Sequence, residues 1–201
     1  MKSTGLAAAA GVLALAGCAL PGETTEGTLR PAMEKFLAER GDLCLGKYDW
    51  PIEVSERDFQ AGTRDAVQLP VLEKAGIVRS STQARTARYE LTEAGRKFYI
   101  ERETTHVTAD GVKTVHHGDF CAGKLSLDTI VRSDEARTVG DHLETTVTYT
   151  YRMAAAPWAR DPDVQRAFPM VARVVNGEGT MQLQQTLRST GKGWVAVNSW
   201  E

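Results

Sequence analysis

Cysteine is the residue type whose placement in this chain says most about chemistry. Gly41-Asp42-Leu43-Cys44-Leu45-Gly46-Lys47 returns as Gly118-Asp119-Phe120-Cys121-Ala122-Gly123-Lys124, identical at five of seven positions and apolar at the other two. Two thiols in matched surroundings either close a disulfide or stay free, and neither sits in a Cys-x-x-Cys redox motif. The flanks do not extend the match, so it is either a coincidence or two similar strand ends side by side. Histidine offers less. Asp110-Gly111 reads as a two-residue hairpin turn, which sets Thr104 opposite His117 and His106 opposite Val115. That register puts His106 and His117 on one face and His116 on the other. Two imidazoles can begin a zinc or copper site, but no third ligand is placed and no His-Glu-x-x-His spacing occurs. Solvent-facing hairpin histidines are the simpler expectation. Asp161-Pro162-Asp163 and Glu178 are candidate metal or general-acid carboxylates, and the first three residues read more simply as a helix entry with acids at the positive end of its dipole. No nucleophile elbow, phosphate loop or dinucleotide fingerprint occurs. The expectation is therefore no catalytic residue, no metal and no cofactor. Tyr48, Trp50, Trp158, Trp194 and Trp200 are the aromatics able to line a groove, with core packing the expected fate of most. Trp50 and Trp158 are expected at the surface, and with Arg85 and Arg88 they form the candidate binding surface.

Met1-Lys2-Ser3-Thr4 is a weakly positive start, Leu6 to Ala16 is an unbroken run of Leu, Val, Ala and Gly, and small residues precede Cys18. This order describes a secretory signal peptide. The run is too short to span a bilayer, which takes roughly 20 apolar residues. Leu15-Ala16-Gly17-Cys18 resembles the lipobox of bacterial lipoproteins. The resemblance implies a diacylglycerol thioether on Cys18, cleavage before it, and acylation of the new amino terminus. Ala19 is not the aspartate associated with inner-membrane retention, so the resemblance implies the periplasmic face of the outer membrane. Residues 1–17 are then the signal peptide, and losing Lys2 moves the formal charge from −2 to −3. Cys44 and Cys121 remain, and an even pair in an oxidising compartment favours a disulfide. Closing so long a loop stabilises a fold by about 4 kcal/mol in the chain-entropy model.

The elements that must position these residues change character along the chain. At 42% apolar and 25% charged residues the composition is that of a globular domain. Its mild acidity argues against a nucleic-acid partner. Residues 18–27 are polar, with Gly and Pro, and read as a tether. A helix capped by Thr28 follows, with Leu29, Met33, Phe36 and Leu37 on one stripe and Gly41 as its stop. Cys44 to Val54 is extended, with Pro51 at an edge or bend. Thr63 to Ala75 is helical, divided near Pro70, and buries Val67, Val71, Leu72 and Ala75. Two short strands, 77–80 and 88–91, precede a helix capped by Thr92. From residue 104 the pattern alternates as strands do, most clearly over Leu143 to Met153. A short helix over 160–168 is stopped by Pro169, and strands 179–188 and 194–200 end the chain.

Leu69-Pro70-Val71-Leu72-Glu73-Lys74-Ala75-Gly76-Ile77-Val78-Arg79, a polar stretch, and then Tyr89-Glu90-Leu91-Thr92-Glu93-Ala94-Gly95-Arg96 resemble a winged-helix module of transcription regulators. The resemblance covers residues 69–96 and implies the fold, with Arg79, Arg85 and Arg88 around the wing. The export signal and charge balance set its DNA-binding function aside. The expected architecture is α+β: a helical, winged-helix-like part over 28–103, then a curved antiparallel sheet with a short helix over 104–201. The expected function is a non-enzymatic, lipid-anchored binding or assembly module of the bacterial envelope. Its partners would be membrane lipid through Cys18 and an envelope protein or cell-wall component. A cell-wall or metal-dependent hydrolase is the alternative.

Overall fold

The computed structural model describes residues 24–108 and 110–197, with only the backbone of His106. The lipobox, Cys18, the tether up to residue 23 and the Trp200 end of the last strand lie outside the described residues. In chain order the elements are α1 (Glu26–Arg40), β1 (Asp42–Cys44), β2 (Ile52–Ser55), α2 (Glu56–Ala61), α3 (Arg64–Lys74), β3 (Val78–Gln83) and β4 (Thr86–Leu91). Then come α4 (Glu93–Arg96), β5 (Tyr99–Ile100), β6 (Thr104–Val107), β7 (Lys113–His116), β8 (Asp119–Ser133), β9 (Arg137–Val139) and β10 (His142–Ala155). A 3-10 turn (Pro157–Arg160), α5 (Pro162–Ala167), α6 (Pro169–Asn176), β11 (Leu183–Thr190) and β12 (Gly193–Ala196) complete it. The architecture is α+β, helix first and a curled antiparallel sheet after it.

The main sheet runs β1-β8-β10-β11-β12, with β5 on β8 and β9 on β10. Its two long strands carry the core. Along β10, Val147, Tyr149, Tyr151 and Met153 are buried, the alternation that the sequence displays. Tyr151 donates its hydroxyl proton to the Val174 carbonyl at 2.7 Å, tying the sheet to α6 beneath it. On β8 two register shifts flank Ile130, with Leu127 opposite Tyr151, Ile130 opposite Tyr149 and Arg132 opposite Thr148, so each adds one residue to β8 and reverses its alternation. Ile130 turns inward, while Val131, on the expected buried face, is 45% exposed.

Several sequence expectations move. α1 starts inside the stretch read as tether: Thr28 and Leu29 both donate backbone N–H to the Thr25 carbonyl, so Thr28 is a helical residue and not the cap. α2 was not expected; it is held by a capping box between Ser55 and Asp58 and ended by Gly62 at φ +62°. α3 continues through Pro70 and buries Ala66, Leu69 and Leu72, leaving Val67 half exposed. Its buried stripe is set by spacing of three, and the valines fall beside it. Pro169 begins α6, because proline's missing N–H is harmless at a first helical position.

Between β1 and β8 the chain makes a separate three-stranded sheet, ordered β2-β4-β3, backed by α2 and α3. Its inner face contributes Val54, Val78, Tyr89 and Leu91 to the core. Then β6 and β7 form a hairpin of their own before β8 begins.

Candidate functional site

The two cysteine repeats lie against each other. Cys44 faces Cys121 across the antiparallel β1–β8 pair and is joined to it by a disulfide, at a sequence separation of 77. The matched residues serve matched ends. Asp119 accepts from the backbone N–H of Gly46 at 3.2 Å and of Lys47 at 2.9 Å. Asp42 is paired with Lys124 at 3.7 Å. Each aspartate thus meets the lysine end of the other copy, Asp119 through backbone N–H groups and Asp42 through the Lys124 side chain, with Arg102 closer to Asp42 at 2.9 Å. The glycines at the far end are fixed by crowding: a Cβ on Gly41 would sit 2.4 Å from the Leu37 carbonyl oxygen and 2.5 Å from that of Leu125, and one on Gly118 would meet the Tyr99 ring. Burial raises the Asp119 carboxyl above the usual carboxylate range, against the pull of its three backbone donors, Phe120 being the third.

Aromatic side chains continue from this junction. Trp50 meets Phe120 edge-on at 6.0 Å, Phe120 stacks on Trp158 at 5.2 Å, and Trp158 meets Phe98 edge-on at 5.9 Å. Trp158 is therefore core, only 6% exposed, and not the surface residue expected from its place between Pro157 and Ala159. Its ring fills the space where the 3-10 turn crosses β8. Trp50 is half-buried and walls a cleft of about 480 Å³ with Pro51, Glu90, Leu91, Arg96, Tyr99 and Glu101. Both indole Nε1 groups are buried with no hydrogen-bond partner among the described residues. Tyr99, which lines the cleft, donates its hydroxyl proton to the Tyr48 carbonyl at 2.6 Å.

The arginines expected at the binding surface are engaged with acids. Arg88 is 3.5 Å from Glu53 and 3.4 Å from Glu90, Arg79 is 3.0 Å from Glu90, and Arg85 is 3.5 Å from Glu56. These pairs follow strand register, Glu53 opposite Arg88 and Arg79 opposite Glu90. Arg79 and Arg88 hold the Glu90 carboxyl below its usual range.

Register also changes the histidine picture. Thr104 pairs with His116 and His106 with Thr114, one residue away from the two-residue-turn expectation, because the loop over 108–112 is longer. His116 stacks on Tyr48 at 3.9 Å and meets Asp49 at 3.1 Å, while exposed His117 lies 3.4 Å from Glu103. No group of three His, Cys, Asp or Glu side chains suited to a metal forms among the described residues. Asp161 caps α5 by accepting from Asp163 and Val164 N–H, as its position at a helix entry suggested. Asp163 is bound to Lys74 at 2.5 Å and to Arg166, and Glu178 accepts from the Met153 N–H at 3.1 Å.

Sequence reasoning missed two parts of this region. Lys47, last residue of the first repeat, is buried to 3% exposure and paired with Asp65 of α3. Arg96 and Tyr99 line the cleft although both read as residues of the helix from Thr92 without a chemical pattern, and Tyr99 is instead in β5. The repeat's own lysine was the signal for the first; the cleft had no linear signal, since its walls come from two distant stretches, 50–51 and 90–101. Compared with known proteins, the chain matches no family model, no curated protein and no solved structure. No helix among the described residues is long and apolar enough to cross a membrane.

Proposed function

We propose that this chain is a lipid-anchored binding or assembly module on the periplasmic face of the bacterial outer membrane, non-enzymatic, with an envelope protein or cell-wall component as partner. The observation that carries the reading is the Cys44–Cys121 disulfide. A chain that places one cysteine at the end of a lipobox-like run and bridges the other two has the cysteine usage of an exported protein. The strand–helix–helix–hairpin order over β2 to β4, with β4 in the middle of the sheet, supports the winged-helix resemblance as a packing framework. Binding falls to the Trp50 cleft, where Trp50, Pro51, Leu91 and Tyr99 offer aromatic and apolar surface and Arg96, Glu90 and Glu101 offer charges of both signs, a combination suited to a segment with apolar and polar groups.

The test follows the lipid first. In a bacterial host the full chain should incorporate a palmitate analogue and fractionate with membranes, and Cys18→Ser should do neither. A Cys18→Ser chain that still carries label and stays with the membrane overturns the anchor. Cross-linking in intact envelopes should give adducts of the native chain that Arg96→Glu loses while keeping its stability.

A further inference from the structure

Resting on the lipid-anchor reading, we infer that the protein stands end-on to the bilayer. The Gly140-Asp141 and Gly191-Lys192 turns lie at the lipid surface, and the disulfide, the Trp50 cleft and the β6–β7 hairpin are held away from it in the aqueous space. The argument starts where the ordered fold meets the tether. Ser133, last residue of β8, donates its hydroxyl proton to the Thr24 carbonyl at 3.1 Å. The chain therefore leaves the fold at one end of its longest strand. Six residue steps separate Thr24 from Cys18, and a chain reaches at most ~3.3–3.6 Å per residue, about 20 Å in all. An acylated Cys18 thus cannot lie farther than that from the Ser133 end of β8.

Strand geometry then places everything else. Ser133 pairs with Val147, and β10 continues from there to His142 before its turn, while β11 reaches Thr190 beside the same end. The five steps from Val147 to His142 overhang Ser133 by about 16 Å at ~3.3 Å per residue, and the turn adds to this, so the tether brings Cys18 level with the turns only when it runs extended along the strand. At the opposite end, Phe120 supports Trp50 and its neighbour Cys121 holds the disulfide. Phe120 and Ser133 are the second and last of fifteen residues in β8, about 40 Å apart along the strand. The hairpin β6–β7 leads into β8 at that far end, where His116 packs on Tyr48.

Charge offers nothing that would pull the long side of the molecule down. Arg30 on the outer face of α1 is already paired with Glu26 and Glu34. At the near end Arg132, Arg137 and Lys192 are offset by Asp134, Glu135 and Asp141. With no basic surplus among these described residues, attachment depends on the acyl chains and should be insensitive to salt, unlike a polybasic contact.

The experiment uses the full lipidated chain in neutral phosphatidylcholine vesicles. Cys18 is acylated and Cys44 and Cys121 are bridged, so one introduced cysteine takes a fluorophore uniquely. Lys192→Cys reports the near turn and Glu101→Cys, an exposed position beside the Trp50 cleft, reports the far end. With nitroxide-headgroup lipids, quenching is expected at Lys192→Cys and none at Glu101→Cys, unchanged between low and high salt. Inserting a long Gly-Ser spacer after Cys18 should abolish the quenching at Lys192→Cys. Equal or stronger quenching at Glu101→Cys in protein that floats with the vesicles overturns the orientation and leaves the anchor standing. Protein whose intact mass shows no acyl chains and that fails to float overturns the anchor, and the orientation with it.

Discussion

Asp119 gathers three backbone donors on one carboxylate: the N–H groups of Gly46, Lys47 and Phe120. Asp119→Asn removes one oxygen acceptor and turns an amide N–H₂ toward those donors. Leaving a partly buried donor unsatisfied costs about 1–3 kcal/mol, so the urea midpoint should fall by that equivalent at neutral pH. Its pH dependence has a definite sign. Burial raises the Asp119 carboxyl in the folded protein, so the native state binds this proton more tightly than the unfolded chain does. The stabilising contribution is then complete below the ordinary carboxylate value and is lost as pH rises through the raised one. Relative to Asp119→Asn, which cannot titrate, the wild-type protein should lose stability across that window. A difference between the two that grows with pH in favour of the wild type would contradict the assignment.

At the scale of elements, glycines separate crowding from freedom. Gly41 ends α1 where β8 passes, and an added Cβ would press on two backbone carbonyls that belong to different elements. Gly41→Ala should cost about 3 kcal/mol, at the upper end of ordinary overpacking because neither carbonyl can move alone. Gly27, in the first turn of α1, has nothing within 4 Å of its would-be Cβ, and Gly27→Ala should stabilise by about 0.5–1 kcal/mol. Thermal melts of both variants check the pair. The same contrast shows what the sequence could tell. β10 was legible because period-two alternation and burial coincide, and α4 because Thr92 caps it by accepting from Gly95 N–H. The histidine register was not legible, since one residue more or less in the loop over 108–112 carries no local signature. Nor was the end of β8, where the register shifts flanking Ile130 are a tertiary outcome. Trp158 read as surface for the same reason: its burial depends on Phe98 and Phe120, sixty and thirty-eight residues away in the chain. The cysteine repeat was legible because both copies had to fit one another, and the cleft was not because nothing in it repeats.

For the whole molecule, the disulfide and the charge pattern decide how the block between β1 and β8 is held and what it can meet. The bridge closes a loop spanning that block, worth about 4 kcal/mol by loop entropy. Cys44→Ala and Cys121→Ala should lower stability equally, and the double variant should add little to either; two reactive thiols in the unfolded, unreduced protein would contradict the bridge. The winged-helix resemblance raises the question of DNA. In such a module the second helix, here α3, must enter a groove, yet α5 packs along it. Gln68 donates to the Ala167 carbonyl at 3.1 Å and Lys74 is held by Asp163. Pro70 does not interrupt α3, contrary to the sequence expectation, so occlusion and charge are what oppose groove entry. Each wing arginine already faces a glutamate: Arg79 and Arg88 meet Glu90, and Arg85 meets Glu56. Releasing counterions from duplex DNA needs cations free to replace them. Titrating the chain with duplex DNA at low and moderate salt should therefore give no saturable binding in the micromolar range. Binding there with a steep salt slope, lost in Arg85→Ala and Arg88→Ala, would mean that α5 swings clear of α3 and that the wing works as the resemblance alone implies.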